Sequence, residues 1–319
     1  MFMSCGDALF DMFAGGNEAD VSSISLAGRI GGSALNVALG LARLEHRSAF
    51  FTKMSGDLFG RRIRAFMQQE AIDDRFLIDT TRNTTLAMVS LSPQGTPRYD
   101  FYIEGTADRS VEPNEVPSHL PADLAAIHLA GSYSTVSEPT ASALAKLVAQ
   151  EHQSRFISYD PNIRSSVQPD LDIWRSRIGA TVPFATLVKA SDEDVEQVFP
   201  GRNHETVLAD WIAAGVGMAI ITLGEKGALA MSSGGATARV PGRSVVVADT
   251  VGAGDTFQAA TLSRLAETNR LSRAALDGMS AQDLGELLDF AVRAAAVTCT
   301  RRGADLPRRA DLGLPPLSR

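Results

Sequence analysis

The chain has 319 residues, 45% hydrophobic and 21% charged, a usage that excludes a disordered or collagen-like polymer. At about 150 residues per domain, the length allows two units or one large α/β domain with an appendage. The 30 basic and 37 acidic side chains leave a formal charge of −7, which gives no electrostatic footprint for nucleic acid or an anionic membrane.

Short apolar runs alternate with helical patterns along the chain. Arg47 to Met54 reads as a strand closed by Gly56, and Asp57 as the N-cap of a helix through Gln69 carrying Leu58, Ile63, Phe66 and Met67. Ile127 to Ala130 is a strand ending at Gly131, Pro139 to Gln150 a helix, and Arg155 to Tyr159 and Thr186 to Lys189 are strands. A helix over Thr206 to Ala214 precedes the buried strand Met218 to Thr222. Ser244 to Ala248 reads as one more strand, and Gly254 to Ala266 and Leu284 to Thr298 as the last long helices. This order predicts an α/β fold, a mostly parallel sheet with helices on both faces.

Two regions break the pattern. Phe13 to Arg29 holds Gly15, Gly16 and a small alternating run from Val21 to Leu26. Thr84 to Ile103 holds two alternating stretches around the turn Pro93-Gln94-Gly95. Both read as β-hairpin material, too short for a core of their own, that pairs into a small sheet over the mouth of the main one. The expectation is a single domain over 1–319 with lid segments at about 12–30 and 84–110.

Cys5 and Cys299 make neither a disulfide framework nor a zinc site, and five scattered histidines show no ligand spacing. Asp7 and Asp11 interrupt any signal-like core, and no stretch reaches the ~20 apolar residues of a spanning helix. A cytoplasmic setting is therefore expected, and the acceptor sequence Asn83-Thr84-Thr85 is taken as chance.

The strongest chemical signal is Asp249-Thr250-Val251-Gly252-Ala253-Gly254-Asp255-Thr256-Phe257. Gly252, Ala253 and Gly254 let backbone amides converge where a helix begins, an arrangement that binds anions. Asp255 follows in the first turn, where it can take the proton of an attacking hydroxyl while the amides hold a transferring phosphoryl group. The plainer reading is a helix cap after a tight turn. Phe257 stands where a dinucleotide fingerprint needs its third glycine, and no Gly-x-x-x-x-Gly-Lys-Ser/Thr string occurs, so P-loop architecture is excluded.

This string resembles the second signature of the pfkB (ribokinase-like) carbohydrate kinases. Gly31-Gly32-Ser33-Ala34-Leu35-Asn36, running on to Leu44, resembles the first, although Ser33-Ala34-Leu35 departs from the proline-containing form of fructokinase-like members. Cys5 to Asp11 is similar to the family's first strand, closing on a carboxylate that binds sugar hydroxyls; unaided, Asp11 reads as a strand-end turn residue. Asp160-Pro161-Asn162-Ile163-Arg164 is similar to the Asp-Pro-Asn-x-Arg string of fructokinase-like and ketodeoxygluconate kinase-like members. Its plain alternative is an Asx-turn and a surface arginine.

The resemblance implies a ribokinase-like three-layer sandwich with a β-sheet lid. It also implies ATP and Mg²⁺, a monovalent cation such as K⁺ near Asp249 and Val251, and a homodimer through the lid. Asn162, Lys189, Thr222, Gly224 and Gly227 take the nucleotide side, the last three also reading as a plain hairpin turn. Ser191 and Asp194 stand where the family has Asn-x-x-Glu, so Asp194 is the implied carboxylate for magnesium and its waters; Ser191 also reads as an N-cap. The helix and loop at 294–304 resemble those closing over adenine.

Arg98 to Arg109 falls in the second lid segment. Tyr102, with Phe101, suits the apolar face of a sugar ring, and Glu104 is expected to repel an acidic sugar, while Arg98 or Arg164 can still supply a cation. The reading is an ATP-dependent kinase for a primary hydroxyl of a neutral sugar, fructose first. Asp11, Gly31, Gly32, Asn36, Tyr102 and Arg164 take the sugar, Gly252, Ala253 and Gly254 the phosphoryl group, and Asp255 acts as base. Alternatives are another ketose, 2-keto-3-deoxygluconate or a nucleoside as acceptor, or a non-catalytic sugar-binding regulator on the same fold.

Overall fold

A computed structural model describes residues 1–15, 22–91 and 97–317. The chain opens with β1 (Phe2–Cys5), β2 (Leu9–Gly15), β3 (Ser25–Gly31) and α1 (Ser33–Arg43). Next come β4 (Ser48–Ser55), α2 (Leu58–Gln69), β5 (Ile72–Asp73), β6 (Leu77–Thr80), β7 (Thr85–Leu91) and β8 (Pro97–Tyr102). The middle of the chain holds β9 (Ala126–Ala130), α3 (Thr140–Glu151), β10 (Phe156–Asp160), α4 (Leu171–Thr181), β11 (Leu187–Ser191) and α5 (Asp192–Val198). It closes with α6 (His204–Ala213), β12 (Met218–Thr222), β13 (Ala228–Ser232), β14 (Thr237–Val240), α7 (Ala253–Glu267), α8 (Arg273–Asp277) and α9 (Ala281–Cys299).

The main sheet runs β14-β13-β12-β11-β10-β9-β1-β4-β5, with β6 also on β4. It is parallel from β12 to β5 and β6, and antiparallel only at the β12–β13 and β13–β14 pairs. Its central strands are buried on both faces, which is why they read as unbroken apolar runs. In β12, Ala219 and Ile221 face a core closed by Leu144 of α3, Trp174 of α4 and Leu208 of α6. Met218 and Ile220 face the opposite core, closed by Leu41 of α1, Phe257 of α7 and Leu288 of α9. The expected three layers follow from this period-two alternation. Among the described residues no helix is long and apolar enough to cross a membrane.

The two irregular regions form a second sheet, β3-β2-β7-β8, in which the two antiparallel pairs are joined by a parallel β2–β7 contact. Along β2 the faces alternate. Leu9, Asp11 and Phe13 point into a cleft above the main sheet, whereas the ring of Phe10 turns outward and packs on Phe59 of α2, centroids 5.0 Å apart. The turn at Pro93-Gln94-Gly95, Gly16 and Val21 lie outside the described residues.

Two expectations are corrected. Ser244 to Ala248 is not a strand: Pro241 and Gly242 end the run of β14, the segment finds no partner strand among the described residues, and Val246 is 90% exposed. Asp11 does not close the first strand, which ends at Cys5; it sits inside the lid strand β2, and Asp7 occupies the turn after β1.

The carboxyl ends of β9 and β10 are locked backbone to backbone. Gly131 donates its N–H to the Asp160 carbonyl at 2.6 Å. A methyl group at 131 would lie 1.9 Å from the Pro161 carbonyl oxygen. Gly131→Ala is therefore expected to cost about 1–3 kcal/mol of stability and to displace the Asp160–Asn162 turn, seen as a lower midpoint in urea together with lost activity. An unchanged midpoint would show that the two strand ends part without penalty.

Candidate active site

The cleft between the lid and the carboxyl ends of the strands has a volume of about 470 Å³. Its position, over the switch from β1 to its neighbours, is where parallel α/β sheets place ligands. Two helix N-termini meet there. α7 begins after Gly252, which is left-handed at φ 79°, and a β-carbon at that position would lie 2.9 Å from the Ala304 methyl. α1 begins after Gly32 at φ 110°, where a β-carbon would lie 2.5 Å from the Asp7 carbonyl. Glycine is thus required at 32 by its backbone conformation and by backbone close to it, whereas a β-carbon at Gly31 would meet the Asp11 carboxylate at 2.4 Å and displace it.

Asp255 is buried between the two helices. Its Oδ1 accepts from the Ser33 hydroxyl at 2.7 Å and its Oδ2 from the Asn36 amide at 2.8 Å. Asn36 thus reaches the carboxylate as well as lining the cleft. Gly254 leaves room for the Lys189 ammonium, which a β-carbon there would approach to 3.2 Å. Lys189 donates to Asp160 at 2.7 Å in a fully buried pair. Burial alone would discharge Lys189, but Asp160, Asp194 and Asp255 around it hold its ammonium above the ordinary range. Burial pushes the Asp160 carboxyl up to about 6 against the pull of Lys189, which still leaves an ion pair at neutral pH.

A second buried network anchors the lid. Asp108 accepts from Tyr133 Oη at 2.6 Å, from the Thr85 hydroxyl at 2.6 Å and from the Ala8 amide at 3.4 Å. These donors come from the loop after β9, the start of β7 and the approach to β2. Asp7 beside it accepts the amides of Ser33 and Ala34; burial and the Asp108 charge push its carboxyl up to about 6. Asp11 is also raised to about 6 by burial, with Arg164 pulling the other way.

Of the residues named from sequence, Asp11, Gly32, Asn36, Asn162, Arg164, Lys189, Val251, Gly252, Gly254 and Asp255 line this one cleft. Others do not. Tyr102 is 64% exposed at the end of β8 and borders a groove on the lid's outer side, while Phe101, one residue earlier on the opposite face, reaches the cleft. Glu104 is exposed, paired with Arg109 at 2.9 Å, and borders the same outer groove, so it cannot repel an acidic sugar. The side chain of Arg98 lies outside the described residues.

Thr222, Gly224 and Gly227 lie one strand beyond Lys189 of β11, around the β12–β13 turn, and are not among the cleft's lining. Asn162 has φ 44°, and its amide donates to Asp160 Oδ1 at 3.2 Å, so the Asx-turn is real. Asp249 Oδ1 and Oδ2 accept the amides of Val251 and Gly303 at 3.1 and 2.8 Å. Asp194 is buried and not among the cleft's lining: Oδ2 closes a capping box with Ser191 and Oδ1 accepts the Ile163 amide at 2.8 Å. The exposed Glu193 lines the cleft instead.

Sequence reasoning gave no role to Ser33, Asp7, Tyr133 or Glu193. Asp7 and Ser33 stood inside strings already singled out, but nothing in their spacing shows that a strand-end carboxylate caps a distant helix. Among the described residues no three His, Cys, Asp or Glu side chains converge as a metal site. Glu193 nonetheless offers hard oxygen donors at the cleft, which suits a hydrated magnesium ion carried by phosphates.

The profile of the pfkB family carbohydrate kinases matches residues 13–311. The fructokinase of Rhizobium leguminosarum bv. trifolii is 33% identical over 284 residues, 89% of this chain and 85% of that protein. The chain belongs to the pfkB family of carbohydrate kinases. Fructokinase-1 of Oryza sativa subsp. japonica is 32% identical, over 86% of this pfkB chain and 83% of its own. Among solved structures, the Xylella fastidiosa fructokinase with bound ATP superposes with a TM-score of 0.88 over 98% of this chain and 96% of that one, at 22% identity, which speaks to the fold. The Vibrio cholerae O395 fructokinase double mutant, in its fructose, ADP and potassium ion bound form, is 26% identical with a TM-score of 0.82, covering 98% and 96%.

Proposed function

We propose that this pfkB chain transfers the γ-phosphoryl group of ATP to a primary hydroxyl of fructose. The observation that carries the reading is the meeting of Gly252 and Gly254 at the start of α7, the buried Asp255 carboxylate and the lid residue Asp11 in one cleft, although the Ala253 amide between the glycines donates to the Thr250 carbonyl at 3.2 Å and Ala253 is not in the lining. The amides opening α7 hold the anionic phosphoryl group, and Lys189 adds positive charge beside Gly254. Asp255 takes the proton of the attacking hydroxyl. Asp11, Asn36 and Arg164 orient the sugar, with Gly31 and Gly32 allowing close approach and Phe101 lying on its apolar side. The lid excludes water and so suppresses hydrolysis of ATP.

Among the described residues five carboxylates and two basic side chains line the cleft; Lys189 is paired with Asp160, and Arg164 lies near enough to Asp11 to pull against its raised carboxyl. That balance supports a neutral acceptor in place of the argument from Glu104. Magnesium, when bound, supplies positive charge between the phosphates, and Glu193 is the carboxylate in reach to hold its waters. Asp249 and Val251 are the proposed surroundings of a monovalent cation. Thr222, Gly224 and Gly227, around the β12–β13 turn, take the adenosine side. The exposed Leu26 and Tyr102 of the lid suit pairing of two lids in a homodimer. ATP use and unpaired thiols fit a cytoplasmic setting.

The test is ADP release across fructose, other ketoses, 2-keto-3-deoxygluconate and nucleosides. Fructose is expected to give the highest kcat/KM; a better acidic acceptor would return Arg164 to the role of substrate cation, and no release with any acceptor would favour a binding protein.

Asp11→Asn is expected to raise KM for the sugar by about 10-fold or more, with a smaller change in kcat. It carries a second signature. The folded-state value of Asp11 lies at about 6, above its ordinary 3.8, so the folded protein binds the extra proton. Wild-type stability relative to the variant is then greatest below pH 4 and lost as pH rises through about 6. Thermal melts at pH 4.5 and 7.5 would show this; an unchanged KM would remove Asp11 from the sugar site.

A further inference from the structure

A serine at the N-cap of a helix accepts that helix's own free amides with its hydroxyl oxygen. In α1 this does not happen. The N-cap is Gly32, which has no side chain, and the free amides of Ser33 and Ala34 donate to the two oxygens of Asp7 at 3.1 and 3.3 Å. Asp7 comes from the turn after β1, so the cap is supplied by the sheet. The Ser33 hydroxyl is released, and it donates to Asp255 Oδ1 at 2.7 Å.

One turn further along α1, Asn36 takes Oδ2 at 2.8 Å. A single hydrogen bond would leave the carboxylate free to swivel about its terminal torsion, which is soft. Two donors from one rigid helix, one on each oxygen, fix its plane. Each oxygen keeps a further lone pair, so the group remains able to accept a proton. Ser33 and Asp255 are both buried, which limits competition from water.

We propose that Ser33 is a positioning residue for phosphoryl transfer: its hydroxyl, kept available because Asp7 caps α1 from the sheet, fixes the plane of Asp255 towards the acceptor hydroxyl. The inference rests on the reading of Asp255 as the base.

The test compares full-length Ser33→Ala, Ser33→Thr and Asp255→Asn by steady-state ADP release, with the best acceptor from the sugar panel. Ser33→Ala is expected to lower kcat by about 10- to 100-fold, with KM for sugar and ATP within about 3-fold and an unchanged melting temperature. Ser33→Thr, which keeps the hydroxyl, is expected to restore most of the loss. If Ser33→Ala keeps wild-type kcat while Asp255→Asn is inactive, the positioning role falls and the base stands. If Asp255→Asn is itself active, the base reading fails and takes this inference with it. A Ser33→Ala protein with a lowered melting temperature, no split between kcat and KM, and no rescue by threonine would make the hydroxyl merely structural and overturn the proposal.

Discussion

Asp255→Asn is expected to lower kcat by about 10²- to 10⁴-fold while leaving the fold intact. The amide is isosteric, and one of its two ends, the carbonyl oxygen, can still accept from Ser33 or Asn36. With that oxygen on Asn36, its NH₂ can donate to the Ser33 hydroxyl, which accepts as well as donates, so what is lost is the charge rather than either hydrogen bond at 2.7 and 2.8 Å. That loss is local, since α7 remains anchored through Phe257 and Leu262 in the core. Proton acceptance disappears altogether. The measurement is kcat for fructose beside a urea midpoint: a large fall in the first with a small change in the second isolates chemistry from stability. Near wild-type turnover would mean that the acceptor hydroxyl loses its proton to another group or to solvent.

The architecture was legible because its strands are buried on both faces and its helices on one. Met218 to Thr222 reads as a strand without context, and Asp57 announces α2 by a cap that the structure contains, its side chain accepting from Gly60. The lid was legible as alternation, but the face each residue takes was not. Phe101 and Tyr102 are neighbours in a strand, so only one of them can look into the cleft, and register is decided by the β7 pairing that no local pattern records. The Ser244 to Ala248 run shows the opposite failure: β-branched residues have strand propensity, yet a strand needs a partner edge, and Pro241 and Gly242 lead the chain away from it. Within the site, residues on contiguous motifs were found. Asp7 and Ser33 act through contacts between segments distant in the chain, and such contacts leave no spacing to read. Asp194 carried an implied magnesium role, but an Asp three residues after Ser191 has the length to close a capping box, and it does.

Removing the charge of Lys189 is expected to be the most destabilising single change in the site. Lys189 and Asp160 are both nearly inaccessible and lie 2.7 Å apart, so Lys189→Met leaves a carboxylate buried without its counter-charge, at a cost of about 3–5 kcal/mol. The Asn162 amide still donates to Asp160 Oδ1, but one neutral donor does not replace an ammonium. The deficit has a pH signature. Asp160 already titrates at about 6 with Lys189 present, and without it the carboxyl takes up a proton still more readily. Lowering the pH through that range therefore neutralises the orphaned group, so the gap between variant and wild type should be widest near pH 8 and should narrow towards pH 5.5. Adding Asp160→Asn to the variant removes the unpaired charge and should recover most of the stability at pH 8, whereas turnover should stay low because the cation beside Gly254 is still missing. Urea midpoints at both pH values and kcat for the single and double variants decide the matter. A double variant that recovers activity as well as stability would show that Lys189 serves the fold alone, and a single variant as stable as wild type at pH 8 would show that the cleft hydrates Asp160 more than its burial implies.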